Sequence, residues 1–116
     1  MLPKPSPAPK PRRHRDPVTP AVYAAVRRRD KGCVSAFIPV GMGEGVFPDP
    51  CIGPLELDHV WSGGLGMRGP STPWNLVTLC RAHHLWKTEH ARDARRALKA
   101  YLERFYGPID PRIGPV

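Results

Sequence analysis

The chain has 116 residues, a formal net charge of +8 and a pI near 10.0. That length suits one domain, and no run approaches the ~18 apolar residues of a membrane helix, so a cytoplasmic protein is expected. The charge points to an anionic partner, nucleic acid first, the alternative being a basic protein whose charge only keeps it soluble. Three cysteines, an odd count, exclude a complete disulfide framework, and in a reducing compartment they favour metal binding.

Residues 1–17, "MLPKPSPAPKPRRHRDP", alternate Pro with small or basic residues. Such a stretch buries too little to offset its ordering entropy, so a disordered or polyproline-like tail is expected. Its Lys4, Lys10, Arg12, Arg13 and Arg15 can reach phosphates without any fold. Thr19-Pro20 reads as an N-cap followed by Pro at the first helical position. The helix runs through "AVYAAVRRRD" and ends near Gly32, with Val22, Val26 and Tyr23 as its apolar face. Arg27, Arg28 and Arg29 suit the dipole at its C-terminal end.

"CVSAFIPV" (33–40) reads as a short strand, and "GMGEGVFPDPCIGP" (41–54) as a long loop full of breakers. A loop of that length needs a tether, and Cys33 and Cys51 stand near its two ends. "LELDHV" (55–60) alternates like a strand. "WSGGLGMRGPSTPW" (61–74) is a Gly- and Pro-rich loop, "NLVTLC" (75–80) a second strand, and "RAHHLWKT" (81–88) has helical composition. From about 90 a longer helix follows, "HARDARRALKAYLERFY". Ala91, Ala94, Leu98, Tyr101 and Phe105 recur at helical spacing and are expected to pack inward; Arg92, Arg95, Arg96 and Lys99 lie mostly opposite, and Gly107-Pro108 ends the helix. The fold class is thus α+β. One domain covers 18–107, with a ββα core at about 55–88 and a C-terminal helix at about 90–106, between tails at 1–17 and 108–116.

Cys80 and His83 are three apart, which places them on one face if a helix begins there. With Cys33 and Cys51 they complete a closed Cys3His set of the kind structural zinc takes, which would also tether the long loop. The alternative is buried apolar cysteines and a surface histidine. Helix neighbours diverge by about 100°, so His83 and His84 cannot easily serve one ion. His84 is expected to face Asp58, and the two would hold a divalent ion with open positions. His59 then takes a proton from water as general base, a task suited to a ring pKa near ~6.5. On an ideal strand Asp58 and His59 point to opposite faces, so the strand must bend or end there.

Together, "LELDHV…NLVTLCRAHHLWKT" resembles the HNH endonucleases, the ββα-metal nucleases, and within them the small zinc-containing type of bacteriophage genomes. The first H is His59, the N is Asn75 and the last H is His84. The resemblance covers about 55–88, and the cysteines carry it back to about 33. It implies an HNH core stapled by zinc and a DNA endonuclease that leaves a 5′-phosphate and a 3′-hydroxyl. In it His59 is the general base. Asp58 and His84 ligate the catalytic ion, which is Mg2+, Mn2+ or another divalent transition metal. Asn75 orients the loop that positions His59, and Lys87 is the lysine that follows the last histidine. The pattern departs from the family at the zinc site. Many members carry two C-x-x-C pairs; here the first pair is spread to Cys33 and Cys51, and His83 replaces the fourth cysteine. DNA contacts are expected from Lys87, Arg92, Arg95, Arg96 and Lys99. The family also suggests a place beside phage terminase subunits, in the cytoplasm of a bacterial host. One rival is a non-catalytic, zinc-stapled nucleic-acid-binding module, which has no need of Asp58-His59 opposite His84. A second is a virion or assembly component on a degenerate nuclease fold.

Overall fold

Thr19 and Pro20 start the first helix as their chemistry requires: the Thr19 hydroxyl accepts from Val22 N at 3.2 Å, and α1 runs Pro20–Asp30. In this computed structural model the described residues are 16–38, 47–48, 50–62, 69–110 and 112–116. The expected tail before 16, residues 41–46 and 49 of the expected 41–54 loop and residues 63–68 of the expected 61–74 loop lie outside them. The helix ends at Lys31, which takes the left-handed conformation with φ 61° one residue before Gly32. Val26 is buried, but Tyr23 is exposed and contributes no inner face.

The segment after Cys33 is a 3-10 turn over Val34–Phe37 and not the expected strand. Val34 and Ile38 are buried there while Ala36 between them is exposed and Cys33 beside Val34 is buried, a pattern that strand alternation does not give.

Two strands form the centre. β1 is Leu55–His59 and β2 is Leu76–Cys80, paired antiparallel with Asp58 opposite Val77 and His59 opposite Leu76. A 3-10 turn at Pro73–Asn75 leads into β2. Helix α2, Arg81–Glu89, follows β2 without a break, and α3, Ala91–Tyr106, follows α2. The α+β class expected from the sequence is therefore present, with three α-helices and small antiparallel sheets among the described residues. Among the described residues no helix is long and apolar enough to cross a membrane.

Helix α3 buries Ala94, Ala97, Leu98, Tyr101 and Leu102. Phe105, expected inside, is half exposed, and Ala91 is only partly covered. The apolar stripe turns so that Leu102 takes the inner place, while Phe105 lies edge-on to Tyr101 with centroids 5.2 Å apart. Past Gly107 the chain forms a two-stranded hairpin, β3 Ile109–Asp110 with β4 Gly114–Pro115, where the sequence suggested only a tail. Ile109 anchors it in the core.

All five residues of β2 are buried, yet among the described residues only one of its edges pairs with a strand. Side chains satisfy the other edge. Asp30 Oδ2 accepts from Thr78 N at 2.8 Å, and Arg29 Nη2 donates to Leu76 O at 2.6 Å. Arg29 also donates to Pro73 O at 2.6 Å and to the Tyr106 hydroxyl at 3.0 Å. Asp30, fully buried, holds Arg29 Nε at 2.7 Å and accepts from the Tyr101 hydroxyl at 2.7 Å. Burial and the Asp30 carboxylate push the Tyr101 phenol above its usual range, so it stays a donor.

Replacing Asp30 by Ala strands a buried guanidinium and an unpaired Thr78 N–H, and is expected to cost about 3–5 kcal/mol. Tyr101→Phe removes one bond only and should cost about 1–2 kcal/mol. Urea midpoints of the two variants check the order; an Asp30→Ala loss no larger than that of Tyr101→Phe would contradict the bracing assigned to the pair.

Candidate metal centre and candidate active site

The first cluster forms where β2 turns into α2. Cys80 ends the strand and caps the helix, and His83 lies one turn on, buried. His83 Nδ1 lies 3.1 Å from Cys80 Sγ, 3.3 Å from Cys33 Sγ and 3.6 Å from Cys51 Sγ. The four donor atoms all fall within 4.8 Å of one another. Bond lengths of about 2.3 Å to sulfur and 2.0 Å to nitrogen place tetrahedral N and S ligands about 3.6 Å apart, so the set is sized for one ion. The other ring nitrogen of His83, Nε2, hydrogen-bonds the Pro48 carbonyl. That bond needs the proton on Nε2 and leaves Nδ1 as the ligand atom, the usual outer partner of a metal-bound imidazole. Burial opposes ionisation of Cys80, but hydrogen bonds from the backbone of His83 and Ile52, with help from the neighbouring thiols, outweigh it and hold the thiol below its ordinary value. The Cys3His set expected from the sequence is thus assembled and could hold a metal ion.

The 51–54 segment is bound to the same junction. Arg81 N donates to Pro54 O and Ala82 N to Ile52 O, both at 3.0 Å. Two of the N–H groups that a helix start leaves without partners are satisfied in this way, and Cys51 is carried to the cluster.

The second cluster lies on the other side of α2. His84 Nε2 is 3.1 Å from Asp58 Oδ1. Two ligands of one ion at about 2.1 Å, at right angles, sit about 3.0 Å apart, so this pair can share a cation. Each has an outer partner. His84 Nδ1 lies 3.3 Å from Glu56 Oε1, and Lys87 Nζ lies 2.7 Å from Asp58 Oδ2 as an ion pair, out of line for a hydrogen bond. Lys87 also donates to His59 O at 2.9 Å. Of the cations expected at DNA, Lys87 is therefore the one turned inward, while Arg92, Arg95, Arg96 and Lys99 stay exposed on α3.

His59 is the last residue of β1, and it lines one pocket of about 350 Å³ together with Asp58, His84, Lys87, Leu57, Ser62 and Val18. The strand ends where the sequence required it to bend or end, and the adjacent Asp58 and His59 reach the same cavity. Asn75 is fully buried. Its Oδ1 accepts from Trp61 N at 2.8 Å, and its Nδ2 donates to Trp61 O at 3.1 Å and Pro70 O at 2.8 Å. It clamps both ends of the loop after β1 directly behind His59. Gly69 fits beneath that clamp because a Cβ there would lie 2.0 Å from the Trp61 carbonyl oxygen.

Three contacts at this site were not read from the sequence. Glu56 was passed over, although it is two residues from Asp58 and so on the same strand face. Ser71 hydrogen-bonds His59 Nε2 at 3.0 Å. Asp16, placed in the tail by its composition, accepts from Ser71 N at 2.8 Å. No local signal marks the last two, which are far apart in sequence.

A cleft of about 590 Å³ opens past Val60 and Trp61, bordered by Arg95, Arg96, Lys99 and Arg112. Arg95 ties it to the pocket rim by donating to Val60 O at 3.1 Å. Asn75→Ala should cost about 2–3 kcal/mol, because it leaves three part-buried backbone groups, Trp61 N, Trp61 O and Pro70 O, without their partner. Gly69→Ala should destabilise through the clash. Urea unfolding of both variants checks this, and a wild-type midpoint for Asn75→Ala would remove the clamp. No protein-family model, curated protein or solved structure matches the chain.

Proposed function

We propose that the chain is a metal-dependent DNA endonuclease of the ββα-metal (HNH) type, its core stapled by a structural zinc. One observation carries the reading: Asp58 Oδ1 and His84 Nε2 converge at 3.1 Å in the pocket that also takes in His59. The Cys3His donor set and its spacing suit zinc. The order of His59 at the end of β1, Asn75 in the turn before β2 and His84 on α2 suits the nuclease.

In this reading Asp58 and His84 hold the catalytic ion, with Lys87 and Glu56 fixing the carboxylate and the ring from behind. When bound, the ion supplies charge neutralisation at the phosphate and stabilises the leaving oxygen. His59 accepts a proton from water as the water oxygen bonds to phosphorus. The bond from phosphorus to the 3′ oxygen breaks, and that oxygen takes a proton from a solvent water, leaving a 5′-phosphate and a 3′-hydroxyl. Asn75 holds the backbone that carries His59. The basic rim of Arg95, Arg96, Lys99 and Arg112 gives the DNA backbone a path beside the pocket. A place beside a packaging terminase in a phage-infected cell belongs to the same proposal.

The Lys87–Asp58 pair also suits a second reading. If no second ion binds, Lys87 alone neutralises Asp58, and the chain is a zinc-stapled nucleic-acid-binding module. Cleavage of supercoiled plasmid with and without divalent metal, wild type against His59→Ala, decides between them. The nuclease reading expects metal-dependent cutting that His59→Ala lowers by about 10²–10⁴. Binding without cutting favours the module.

The adjacent histidines should separate in the same assay. His83→Ala is expected to release zinc and unfold the domain, since such sites contribute ~10 kcal/mol or more to a small fold. His84→Ala should keep zinc and melting temperature and require more divalent metal to cut. Zinc analysis after dialysis, melting and a metal titration read this out; zinc loss in His84→Ala would sink the two-site model. Replacing Arg95 and Arg96 by Ala should lower DNA affinity and reduce the log–log salt slope by about 0.9 per lost phosphate contact. An unchanged slope would take DNA off that face.

A further inference from the structure

The hydroxyl of Ser71 has one proton and two neighbours. One neighbour is the main-chain carbonyl of Asp16, which can only accept. The Ser71 proton therefore goes to Asp16, and the Ser71 oxygen is left to accept. Its other neighbour is His59 Nε2 at 3.0 Å, which must then be the donor. In the neutral imidazole a proton on Nε2 puts the lone pair on Nδ1.

Asp16 is fastened at a second point. Its Oδ2 accepts from Ser71 N at 2.8 Å, so side chain and main chain of one residue grip both polar groups of the other. Ser71 is buried, which keeps water from offering its hydroxyl a different acceptor. Two residues on, Val18 lines the pocket itself. The stretch that leads into α1 thus forms part of the site wall.

We infer that Ser71, oriented by Asp16, is a positioning residue that fixes the tautomer and plane of His59, making Nδ1 the basic nitrogen. The tautomer follows from the Ser71 contact; its value for catalysis rests on the nuclease reading. Asp16 and Ser71 act through His59, and neither touches substrate in this scheme.

The test uses the full chain labelled with 15N, with the His59 ring signals identified by their loss in His59→Gln. In wild type, at a pH where the ring is neutral, Nε2 is expected to carry the proton and Nδ1 to be unprotonated, with the Nε2–H proton sheltered enough to be seen in water. Ser71→Ala and Asp16→Ala should broaden that proton away. Ser71→Thr, which keeps the hydroxyl, and Asp16→Asn, which keeps a side-chain acceptor, should retain it. In plasmid cleavage Ser71→Ala should lower kcat by about tenfold or more with KM little changed, and Ser71→Thr should recover most of the loss. A wild-type ring protonated on Nδ1, or an Nε2–H signal indifferent to Ser71→Ala, overturns the assignment without need of any variant's activity. If wild type cuts no DNA, the nuclease reading falls, and the ring nitrogens still decide the tautomer.

Discussion

The structure depends on how β2 is completed. A two-stranded sheet leaves one row of backbone donors and acceptors without a strand, and in this chain that row is buried. Arg29 and Asp30 at the end of α1 supply the missing partners to Leu76, Thr78 and Pro73. The same two side chains reach Tyr101 and Tyr106 on α3. One ion pair therefore fixes the helix before the sheet, the sheet itself and the helix after it. Its charges are tolerable inside because they face each other and nearly every remaining proton and lone pair is used.

With β2 held there, the junction of strand and helix sets the chemistry. Cys80 and His83 look toward the Cys33 and Cys51 side. His84, one residue on, looks back at β1, where Glu56 and Asp58 share a face. The two clusters are kept apart by the rotation of about 100° between helix neighbours, and each is braced by chain from elsewhere. Pro48 and residues 51–54 brace the first; Lys87, Asn75 and Ser71 brace the second.

Much of this was legible locally. Thr19-Pro20 announces its helix, "LELDHV" and "NLVTLC" their strands, and the spacing of Cys80 with His83 their shared face, because each signal is carried by nearest neighbours or one helical turn; Cys33 and Cys51 join that pair from 50 and 32 residues before His83. What was not legible depends on contacts across the chain. Arg29 reads as one of three solvated cations suiting a helix dipole, and only the buried edge of β2 shows why it is inside. The 33–38 segment has strand composition, but among the described residues no strand pairs with it and it curls into a turn. Phe105 follows the expected period, yet the hairpin after Gly107 and the turn of α3 move Leu102 into its place. Asp16 lies in a Pro-rich, basic stretch whose composition argues against order, and a single serine 55 positions away holds it.

Closing the edge of β2 with side chains also has a colloidal consequence. An open row of strand donors and acceptors is a template on which another chain can add. Here that template is masked by two charged groups that a foreign strand would have to displace together, at the cost of leaving both buried and unpaired. The mask is only as durable as the docking of α1. A lesion that frees this helix would strip the brace from the fold and at the same moment bare an apolar strand, "LVTLC", with its backbone unmet. For this chain, loss of stability and gain of self-association are the same event.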